Sequence, residues 1–342
     1  MTTAVLHVER AGPLVTVQDG GRPRLMRFGV PASGPMDRFG HAAANAVLGQ
    51  ALHSTAIEIS LGGLALVCTS GSVTVAVCGG RFNVDHSGER CTPWTVRTLR
   101  SGDTLAVGAG ESGSWCYLAV AGTLQAERWL GSTSTHVRAD LGGGTLRTGT
   151  ELVIEDAHVD EGHDGPVEPP GRSSADVRVV LGPQLECFSP EAVEALLSQP
   201  FTLTAAYDRM GVRLSGPLLE LHEALAIASS PIVRGSIQVA GDGVATLLLA
   251  DHQTTGGYPK IATVISADID RVSQLRAGDT VRFRSIDASS AVHAARASAD
   301  LCMRQLISLA DRPGLRTRRL LEANLIDGVF HHDLAPTDEP AN

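Results

Sequence analysis

The segment Leu275-Arg276-Ala277-Gly278-Asp279-Thr280-Val281 decides the fold, because close variants of it occur at two other places in the chain. The variants are Leu99-Arg100-Ser101-Gly102-Asp103-Thr104-Leu105 and Leu146-Arg147-Thr148-Gly149-Thr150-Glu151-Leu152. In each, the glycine permits the left-handed backbone of a tight turn. Thr, Leu and Val then follow, as is typical of a strand. The repeated segment therefore predicts three turns that each lead into a strand.

Short runs of Val, Leu, Ile and Thr recur between glycine-containing turns along most of the chain. They cover residues 64–68, 73–78, 104–107, 117–121, 152–154, 177–181, 245–249 and 281–283. Runs of this length and spacing are typical of β-strands. Together with 37 glycines they predict a mainly β protein with few helices.

Two similarities suggest that the β unit is duplicated. Met36-Asp37-Arg38-Phe39-Gly40 resembles Tyr207-Asp208-Arg209-Met210-Gly211, and the first and third turn segments are separated by a similar interval. A chain of 342 residues is also long enough for two domains. We expect an N-terminal β domain over 1–155 and a β-barrel over 176–286.

The remaining segments are predicted to be a linker and a tail. Residues 156–175 are acidic and proline-rich without apolar periodicity, which predicts an exposed linker. Residues 287–342 form the tail, which is alanine-rich up to about residue 310 and is predicted to be helical, with a second helical stretch after Pro313-Gly314 and disorder toward its end.

Two shorter helices are predicted earlier in the chain. One follows Pro35 and stops before Gly49. The other starts at Ser189-Pro190, where a capping serine precedes a proline at the first helical position.

Composition excludes several classes of protein. A net charge of −9, with 19% charged and 4% aromatic residues, provides no basic surface for nucleic acid. No apolar stretch approaches ~18 residues and the N-terminus lacks the pattern of a signal peptide, so we expect a soluble, cytoplasmic protein without a membrane partner. No spacing of Cys, His or acidic residues predicts a metal site.

Three common catalytic motifs are also missing or out of context. A phosphate-binding P-loop needs Gly-Lys-Ser/Thr, whereas the sole lysine, Lys260, follows a proline and precedes an isoleucine. Residues 108–113 match G-x-G-x-x-G, but a strand pattern follows where a dinucleotide fold needs a helix, so a hairpin loop is predicted there. No G-x-S-x-G nucleophile elbow occurs.

The strongest candidate site is Asp251-His252-Gln253-Thr254-Thr255-Gly256-Gly257-Tyr258-Pro259-Lys260, which contains the only lysine among 28 basic residues. An ammonium is a compact charge with a tunable pKa, unlike a guanidinium. The hydroxyls and closely spaced N–H groups of Thr254–Gly257 are suited to bind a carbonyl or carboxylate oxygen. The alternative is a polar turn whose hydroxyls satisfy its own backbone.

Other polar groups supply candidate binding residues. Alternate residues from Arg234 would share one strand face, or else form an ordinary solvent-facing strand. Residues 17–38 gather carboxylates, arginines and glycine turns, with Asn45 and Glu58 on elements that could face the same cleft. The candidate catalytic residues are Lys260, Asp251 and Tyr258. The candidate substrate-binding residues are Gln253, Thr254, Thr255, Gly256, Gly257, Arg234, Ser236, Gln238, Asp208, Arg209, Asp19, Arg22 and Asp37.

Five motifs together closely resemble the KipA family, also called the C subunit of 5-oxoprolinase, allophanate hydrolase subunit 2, or the second carboxyltransferase half of urea carboxylase. The similarity runs in order from about residue 5 to residue 285. The motifs are Gln18-Asp19-Gly20-Gly21-Arg22, Gly29-Val30-Pro31-x-Ser33-Gly34-x-Met36-Asp37, Gly131-Ser132-Thr133-Ser134-Thr135, Asp208-Arg209-Met210-Gly211-x-Arg213-Leu214 and Asp251-x-Gln253-Thr254-Thr255-Gly256-Gly257-Tyr258-Pro259-Lys260.

The resemblance implies two cyclophilin-like β-barrel domains and an obligate partner, a KipI-like protein (allophanate hydrolase subunit 1, or the B subunit of 5-oxoprolinase), in an assembly that could be a heterotetramer. It further implies a LamB/YcsF-like third component, the A subunit, and an ATP-dependent opening of the 5-oxoproline lactam to glutamate. ATP would be used by the complex and not through a P-loop of this chain. We therefore expect a C–N hydrolase that is active only in complex.

Two alternative functions remain open at the level of sequence. One is the carboxyltransferase component of a biotin-dependent, urea carboxylase-like system. Since this chain has no Met-Lys-Met biotinylation site, biotin would arrive on another chain. The other is a KipA-type regulatory protein that binds a KipI-like partner.

Overall fold

Residues 2–171, 176–222 and 227–311 are described by the computed structural model. They form two large β-sheets, one from each half of the chain, with a few helices packed beside them. The predicted mainly β architecture with few helices is confirmed.

The first sheet is built from eleven strands of the N-terminal half. They are β1 (Thr3–Ala11), β2 (Thr16–Gln18), β3 (Ala56–Ser60), β4 (Leu64–Ser70), β5 (Ser72–His86), β6 (Glu89–Cys91), β7 (Thr95–Arg100), β8 (Thr104–Val120), β9 (Thr123–Leu124), β10 (Glu151–Glu155) and β11 (Gly165–Pro166). The main order is β11-β7-β5-β8-β4-β1-β10-β9, with β3 also paired to β8, β2 to β3 and β6 to β5. The long strands β5 and β8 therefore form the middle of the sheet.

The second sheet contains β12 (Val177–Leu181), β13 (Phe201–Tyr207), β14 (Gly211–Ser215), β16 (Ser236–Val239), β17 (Ala245–Leu248), β19 (Lys260–Val264), β20 (Thr280–Val281) and β21 (Phe283–Ser285). Its order is β20-β13-β14-β17-β16-β19-β12-β21. The short strands β15 (Ser230–Pro231) and β18 (Thr255–Gly256) pair separately, and we call this pair the β15–β18 ribbon. The 251–260 segment thus joins strand β17 to strand β19 through the ribbon.

The three repeated segments form turns of one kind, as predicted. Gly102, Gly149 and Gly278 have φ angles of 96°, 89° and 94°, which a residue with a Cβ rarely adopts. In each turn the arginine N–H donates to the side chain three residues later, at 2.8 Å, 3.1 Å and 2.8 Å in chain order. Because that acceptor is Asp or Thr, the sequence pattern itself fixes the turn geometry.

The helices begin where the sequence places their caps. They are α1 (Arg38–Ala46), α2 (Pro190–Ser198), α3 (Ile269–Ser273) and α4 (Ala288–Ala310). Asp37 accepts from the N–H of Gly40 at the start of α1, and Ser189 accepts from that of Ala192 at the start of α2. The short helix α3 was not predicted, since five residues are too few for a periodic signal.

The tail helix α4 matches the prediction for residues 287–310, with Asp287 as its capping residue. It packs against α1 and β12 and buries Leu306 and Ala310. The second helical stretch and the disordered end predicted after Pro313-Gly314 lie outside the described residues.

The expectation of an exposed linker over 156–175 needs correction in its first part. Gly165 and Pro166 pair with strand β7. The side chains of His163 and Val167 are buried against the first sheet, and Asp164 accepts from Thr98. Asp164 therefore serves as a hydrogen-bond acceptor for strand β7, which an absence of apolar periodicity does not reveal.

The glycine-rich residues 108–113 do not form the predicted hairpin loop, because they continue strand β8 through a register shift. At this shift Arg276 donates to the carbonyls of Gly110 and Gly113. Gln274 accepts from the N–H groups of Ser114 and Trp115. The irregular part of the strand is thus where the second half of the chain docks on the first.

One apolar core contains residues of both sheets. It joins α1 and the inner side chains of β5 and β8 to those of β12, β16 and β19. A second core lies entirely within the N-terminal half. The shared core means that each half of the chain helps to bury the other.

His41 of α1 is fully buried beside the shared core and packs edge-on against Tyr117. Burial lowers the pKa of His41 to about 4. Between pH 6.5 and pH 4 the unfolded chain therefore binds a proton that the folded chain does not, so the free energy of unfolding should fall as the pH drops through this range. We expect a slope of up to about 1.4 kcal/mol per pH unit from this group. Urea unfolding at about pH 7 and about pH 5 should show a smaller difference for His41→Gln than for the wild type, and equal differences would contradict the assignment.

Candidate functional site

A buried ionic cluster joins the two halves of the chain at Arg209. Its Nε and Nη2 donate to the two carboxylate oxygens of Asp251 at 2.9 Å and 3.0 Å. Its Nη1 pairs with Glu58, and Nη2 also donates to the carbonyl of Gly34 at 2.7 Å. Burial acts to lower the pKa of Arg209, but the two carboxylates outweigh burial and raise it. The cluster holds a fully charged guanidinium in a site that excludes water.

Glu58 extends the cluster into the first sheet. Its Oε2 accepts from the hydroxyl of Tyr117 at 2.8 Å and from the N–H of Met36 at 2.7 Å. The Tyr117 oxygen in turn accepts from the N–H of Asp37 at 2.7 Å. Burial, followed by the charge of Glu58, raises the pKa of Tyr117, so the hydroxyl keeps its proton.

The loop Gly34–Asp37 is held from the opposite side by residues of the second half. Arg234 donates to the carbonyls of Pro35 and Met36, and the Ser273 hydroxyl donates to that of Met36 at 2.6 Å. Gln274 donates to the Asp37 carboxylate at 2.7 Å. Arg234 and Asp37, both predicted to bind substrate, thus make these contacts across the junction between the halves.

Asp19 organises a second cluster with the serine- and threonine-rich motif at residues 131–135. Its carboxylate accepts from the hydroxyls of Ser132 and Ser134 at 2.6 Å and 2.8 Å. The N–H groups of Thr133 and Gly21 donate to it at 2.8 Å and 2.9 Å. Burial acts to raise the pKa of Asp19, but these four hydrogen bonds outweigh burial and lower it.

Each of these four partners of the Asp19 carboxylate is a donor, so Asp19→Asn should place an amide NH₂ against other donors. We expect this change to reduce the free energy of unfolding by about 1–3 kcal/mol at about pH 7. Because the carboxylate has a lowered pKa, the wild-type advantage should exist above pH 3.8 and disappear as the pH falls below it. Urea denaturation of both proteins across this range measures the effect. An Asn variant as stable as the wild type at neutral pH would show that the hydroxyls reorient freely.

Arg22 lies beside this cluster and is almost completely buried. Its guanidinium packs 5.1 Å from the ring centroid of Trp129, and Nη2 donates to the carbonyl of Ser134. Its Nε and Nη1 have no hydrogen-bond partner among the described residues. Burial lowers the pKa of Arg22, although Asp19 and Asp251 oppose the change.

A pocket of about 260 Å³ opens on the second sheet beside these clusters. Four predicted site residues line it, namely Asp208, Gln238, Gln253 and Tyr258. The Gln253 amide donates to the Gln238 oxygen at 3.2 Å, and the Gln238 amide donates to the Tyr258 carbonyl at 3.3 Å. We call this the glutamine pocket.

The polar side chains of the glutamine pocket differ in how many of their hydrogen-bonding groups already have a partner within the protein. The Asp208 carboxylate accepts from the N–H groups of Met210 and Gly211 in its own turn. Each glutamine amide uses one N–H in the bonds above and retains a second donor, since a primary amide carries two. The side chain of Tyr258 is about half exposed at the rim.

Two larger clefts, of about 740 Å³ and 620 Å³, lie elsewhere on the described surface. Neither contains a predicted catalytic residue, and both are lined by Pro170 and Gly171, next to residues 172–175 that are not described. Since neither cleft is lined by any predicted site residue, the smaller glutamine pocket is the better candidate site.

Lys260 is buried at the start of β19 and lies one strand from Gln238, with which it pairs across the sheet. Its ammonium donates to the hydroxyl of Ser230 in the β15–β18 ribbon. The backbone N–H of Lys260 donates to the side-chain oxygen of Gln184 at 2.9 Å. Burial lowers the pKa of Lys260. Nζ is therefore held beneath the ribbon and does not line the glutamine pocket.

The ribbon carries the rest of the 251–260 segment. The carbonyls of Thr254 and Gly257 accept from the N–H groups of Ile232 and Ile227. A Cβ at Gly256 would lie 2.6 Å from a side-chain carbon of Ile232 and 2.9 Å from the Gln238 amide. Glycine is needed here because the ribbon backbone touches the wall of the glutamine pocket.

The structure thus divides the predicted site residues among three places. The junction between the halves contains Arg209, Asp251, Arg234 and Asp37, while Asp19 and Arg22 lie at the 131–135 motif. The glutamine pocket and the ribbon segment contain Asp208, Gln238, Gln253, Thr254, Thr255, Gly256, Gly257 and Tyr258, while Lys260 lies next to them at the start of β19. Ser236 is buried near the junction, and its hydroxyl has no partner among the described residues.

Sequence reasoning missed Ser230, Tyr117, Ser273 and Gln274. None belongs to a recognisable motif, and each acquires its role through a contact distant in sequence. Asn45, expected near the cleft, instead donates to the carbonyls of His41 and Ser54.

Two negative observations apply to the described ranges. No group of three or more His, Cys, Asp or Glu side chains is arranged to hold a metal ion. None of the described helices combines the length and apolar character needed to cross a membrane.

The architecture and the motif clusters define a two-sheet protein whose candidate site lies on the second sheet, beside the junction with the first. Residues 28–285 match the family described as "Carboxyltransferase domain, subdomain A and B". The chain belongs to this family, in agreement with the resemblance seen in the sequence.

Relatives cover most of the chain. It is 33% identical over 279 residues to the C subunit of 5-oxoprolinase from Haemophilus influenzae, covering 81% of this chain and 89% of the relative. It is 30% identical over 287 residues to the C subunit of 5-oxoprolinase from Escherichia coli, covering 82% and 90%. The crystal structure of Kluyveromyces lactis urea carboxylase matches with a TM-score of 0.79 at 25% identity, covering 88% of this chain but only 29% of the larger protein.

Proposed function

We propose that this chain is a subunit of an ATP-dependent amidohydrolase complex that cleaves an amide or lactam such as 5-oxoproline. The observation that carries the proposal is the similarity to the C subunits of 5-oxoprolinase over nearly the full length of those relatives. Eight of the sixteen predicted site residues lie in the glutamine pocket or the Thr254–Gly257 turn beside it, which supports the same conclusion.

The glutamine pocket has the chemistry that recognition of a lactam requires. A lactam presents a carbonyl oxygen and an N–H, and 5-oxoproline adds a carboxylate. The amides of Gln238 and Gln253 supply both donors and acceptors, and the lining also includes the cationic side chain of Arg213, which pairs with the half-exposed Asp242. A volume of about 260 Å³ suits a small substrate better than a peptide.

Lys260 and the Thr254–Gly257 turn are proposed to act on the carbonyl or carboxylate oxygen of the substrate or intermediate. Lys260 is buried one strand from Gln238 of the pocket wall, and burial lowers its pKa, so its amine could exchange a proton at this site. Gln238 and Tyr258 would orient the substrate directly. Asp251 is already bound to Arg209 and would act by fixing the start of the segment.

The remaining activities of the complex are assigned to other chains. A KipI-like protein is the proposed obligate partner, with a LamB/YcsF-like protein completing the enzyme. ATP is proposed to bind outside this chain, since a P-loop is missing from its sequence. Lactam hydrolysis is the proposed reaction, and ATP hydrolysis would drive it.

A carboxyltransferase component is the second candidate, favoured by the family's description and by the fold shared with urea carboxylase. In that case carboxybiotin on another chain would deliver the carboxyl group. The third reading, a regulator that binds a KipI-like protein, needs the same partner but no substrate.

The decisive experiment is co-purification with the companion proteins followed by an ATP-dependent glutamate-release assay on 5-oxoproline. We expect glutamate only when all the proteins of the complex and ATP are present. A complex that leaves 5-oxoproline intact but carboxylates urea with a biotinylated partner would favour the second candidate. Stable binding to a KipI-like protein without either reaction would favour the regulator.

A further inference from the structure

The contact between Lys260 and Ser230 places a hydroxyl against the only ε-amine of the chain. Nζ and Oγ are 2.5 Å apart. Lys260 is buried, whereas Ser230 is only partly buried and lies in strand β15 of the β15–β18 ribbon. No carboxylate of the described residues pairs with Nζ, so the hydroxyl is its one described side-chain partner.

A lysine in this setting is suited to act as a base. Burial without a counter-ion lowers the pKa of Lys260, and no nearby charge opposes that effect within the described ranges. The neutral amine can accept a proton from a hydroxyl in hydrogen-bond contact. Serine and lysine paired in this way form one of the recurrent arrangements for nucleophilic catalysis.

The pair also lies next to the glutamine pocket. Gln238, which lines the pocket, is opposite Lys260 in the β16–β19 pairing. Gly256 is opposite Ser230 in the ribbon, and its backbone lies against the Gln238 amide. Ser230 itself does not line the pocket, but its ribbon partner Gly256 touches Gln238 of the pocket wall.

We propose that Ser230 is the nucleophile of amide cleavage and that Lys260 is its general base. This proposal rests on the proposed function, because it requires an amide or lactam substrate. It assigns to Ser230 a role that no motif in the sequence suggests.

The atoms of these steps balance with water as the only other reactant, and the ATP hydrolysed elsewhere in the complex supplies driving force without entering their bond changes. The Ser230 oxygen adds to the carbonyl carbon while its proton moves to the neutral Nζ of Lys260. The C–N bond then breaks, the leaving nitrogen takes that proton, and an acyl-Ser230 ester remains. Water adds to the ester and gives a proton to Nζ. The C–O bond to Ser230 breaks, and its oxygen recovers the proton.

The competing interpretation is that Lys260 is only a structural donor that fastens the ribbon. The two can be separated because a structural donor does not make Ser230 reactive. Ser229 provides a matched control, since it precedes Ser230 and is exposed.

The test uses the full chain in complex with its companion protein and p-nitrophenyl acetate as the acylating probe. We expect one acetyl group on Ser230, identified by peptide mass spectrometry and removed by hydroxylamine, as an ester is. Ser230→Ala and Lys260→Met should abolish the label, whereas Ser229→Ala should keep it. In the ATP-dependent assay Ser230→Ala should lose about 10²–10⁴-fold in rate, and Ser229→Ala should retain wild-type activity.

A hydroxylamine-stable amide on Lys260, with full activity in Ser230→Ala, would overturn the proposal. Undiminished labelling of Ser230 in Lys260→Met would also overturn it, because lysine would then not be the base. Failure of the wild-type complex to release glutamate, with Ser230 still selectively acetylated, would count against the proposed substrate and leave the reactive pair supported.

Discussion

Replacing Arg209 with methionine should reduce the free energy of unfolding by about 3–5 kcal/mol. Methionine keeps an unbranched apolar stem but carries no charge, so Glu58 and Asp251 would remain buried without their cation. Loss of one member of a buried ionic cluster is far more destabilising than loss of the whole cluster. Urea denaturation followed by circular dichroism measures the change.

Arg213→Met is the matched control for this prediction. Arg213 also pairs with an aspartate, Asp242, but both side chains are about half exposed. An exposed pair contributes about 0–1 kcal/mol, so the control should unfold close to the wild type. If Arg209→Met were as stable as Arg213→Met, the cluster would not hold the halves together in the way described.

Lys260→Met should reduce ATP-dependent glutamate release by the reconstituted complex by about 10²–10⁴-fold without destabilising the chain. The ammonium has a lowered pKa because burial disfavours its charge, so removing the charge relieves that cost. Activity should therefore fall while stability is kept or rises.

The lowered pKa of Lys260 also determines how the free energy of unfolding changes with pH. Between the lowered pKa of folded Lys260 and the ordinary value of 10.5, the unfolded chain binds more protons than the folded chain. The wild-type free energy of unfolding should rise with pH in this window, and the methionine variant should lack that rise. Arg271→Met, which changes a cation outside the glutamine pocket, serves as the activity control. Normal turnover by Lys260→Met would remove this lysine from the mechanism.

Much of the fold could be predicted from sequence because its signals are local. The turns at Gly102, Gly149 and Gly278 carry both the glycine and the acceptor that their geometry requires. The caps of α1 and α2 are equally local. The packing of residues 163–167 could not be predicted, since it depends on a strand edge distant in sequence.

The candidate site was predicted as a set of residues but not as an arrangement. The 251–260 segment is recognisable by its reactive side chains and its single lysine. Nothing in the sequence indicates that Asp251 and Arg209 bind each other, or that the Lys260 amine contacts Ser230. Such contacts depend on how the two sheets meet, which residue types alone do not encode.

The junction at Gly34–Asp37 has a consequence for the way this architecture can vary. One short loop of the first half is bound by Arg209, Arg234 and Ser273 of the second. An insertion there would displace Arg209 and, with it, Asp251 at the start of the 251–260 segment, even though no residue of the loop lines the glutamine pocket. We expect related chains to tolerate length changes at the outer turns and to keep the length of this loop constant.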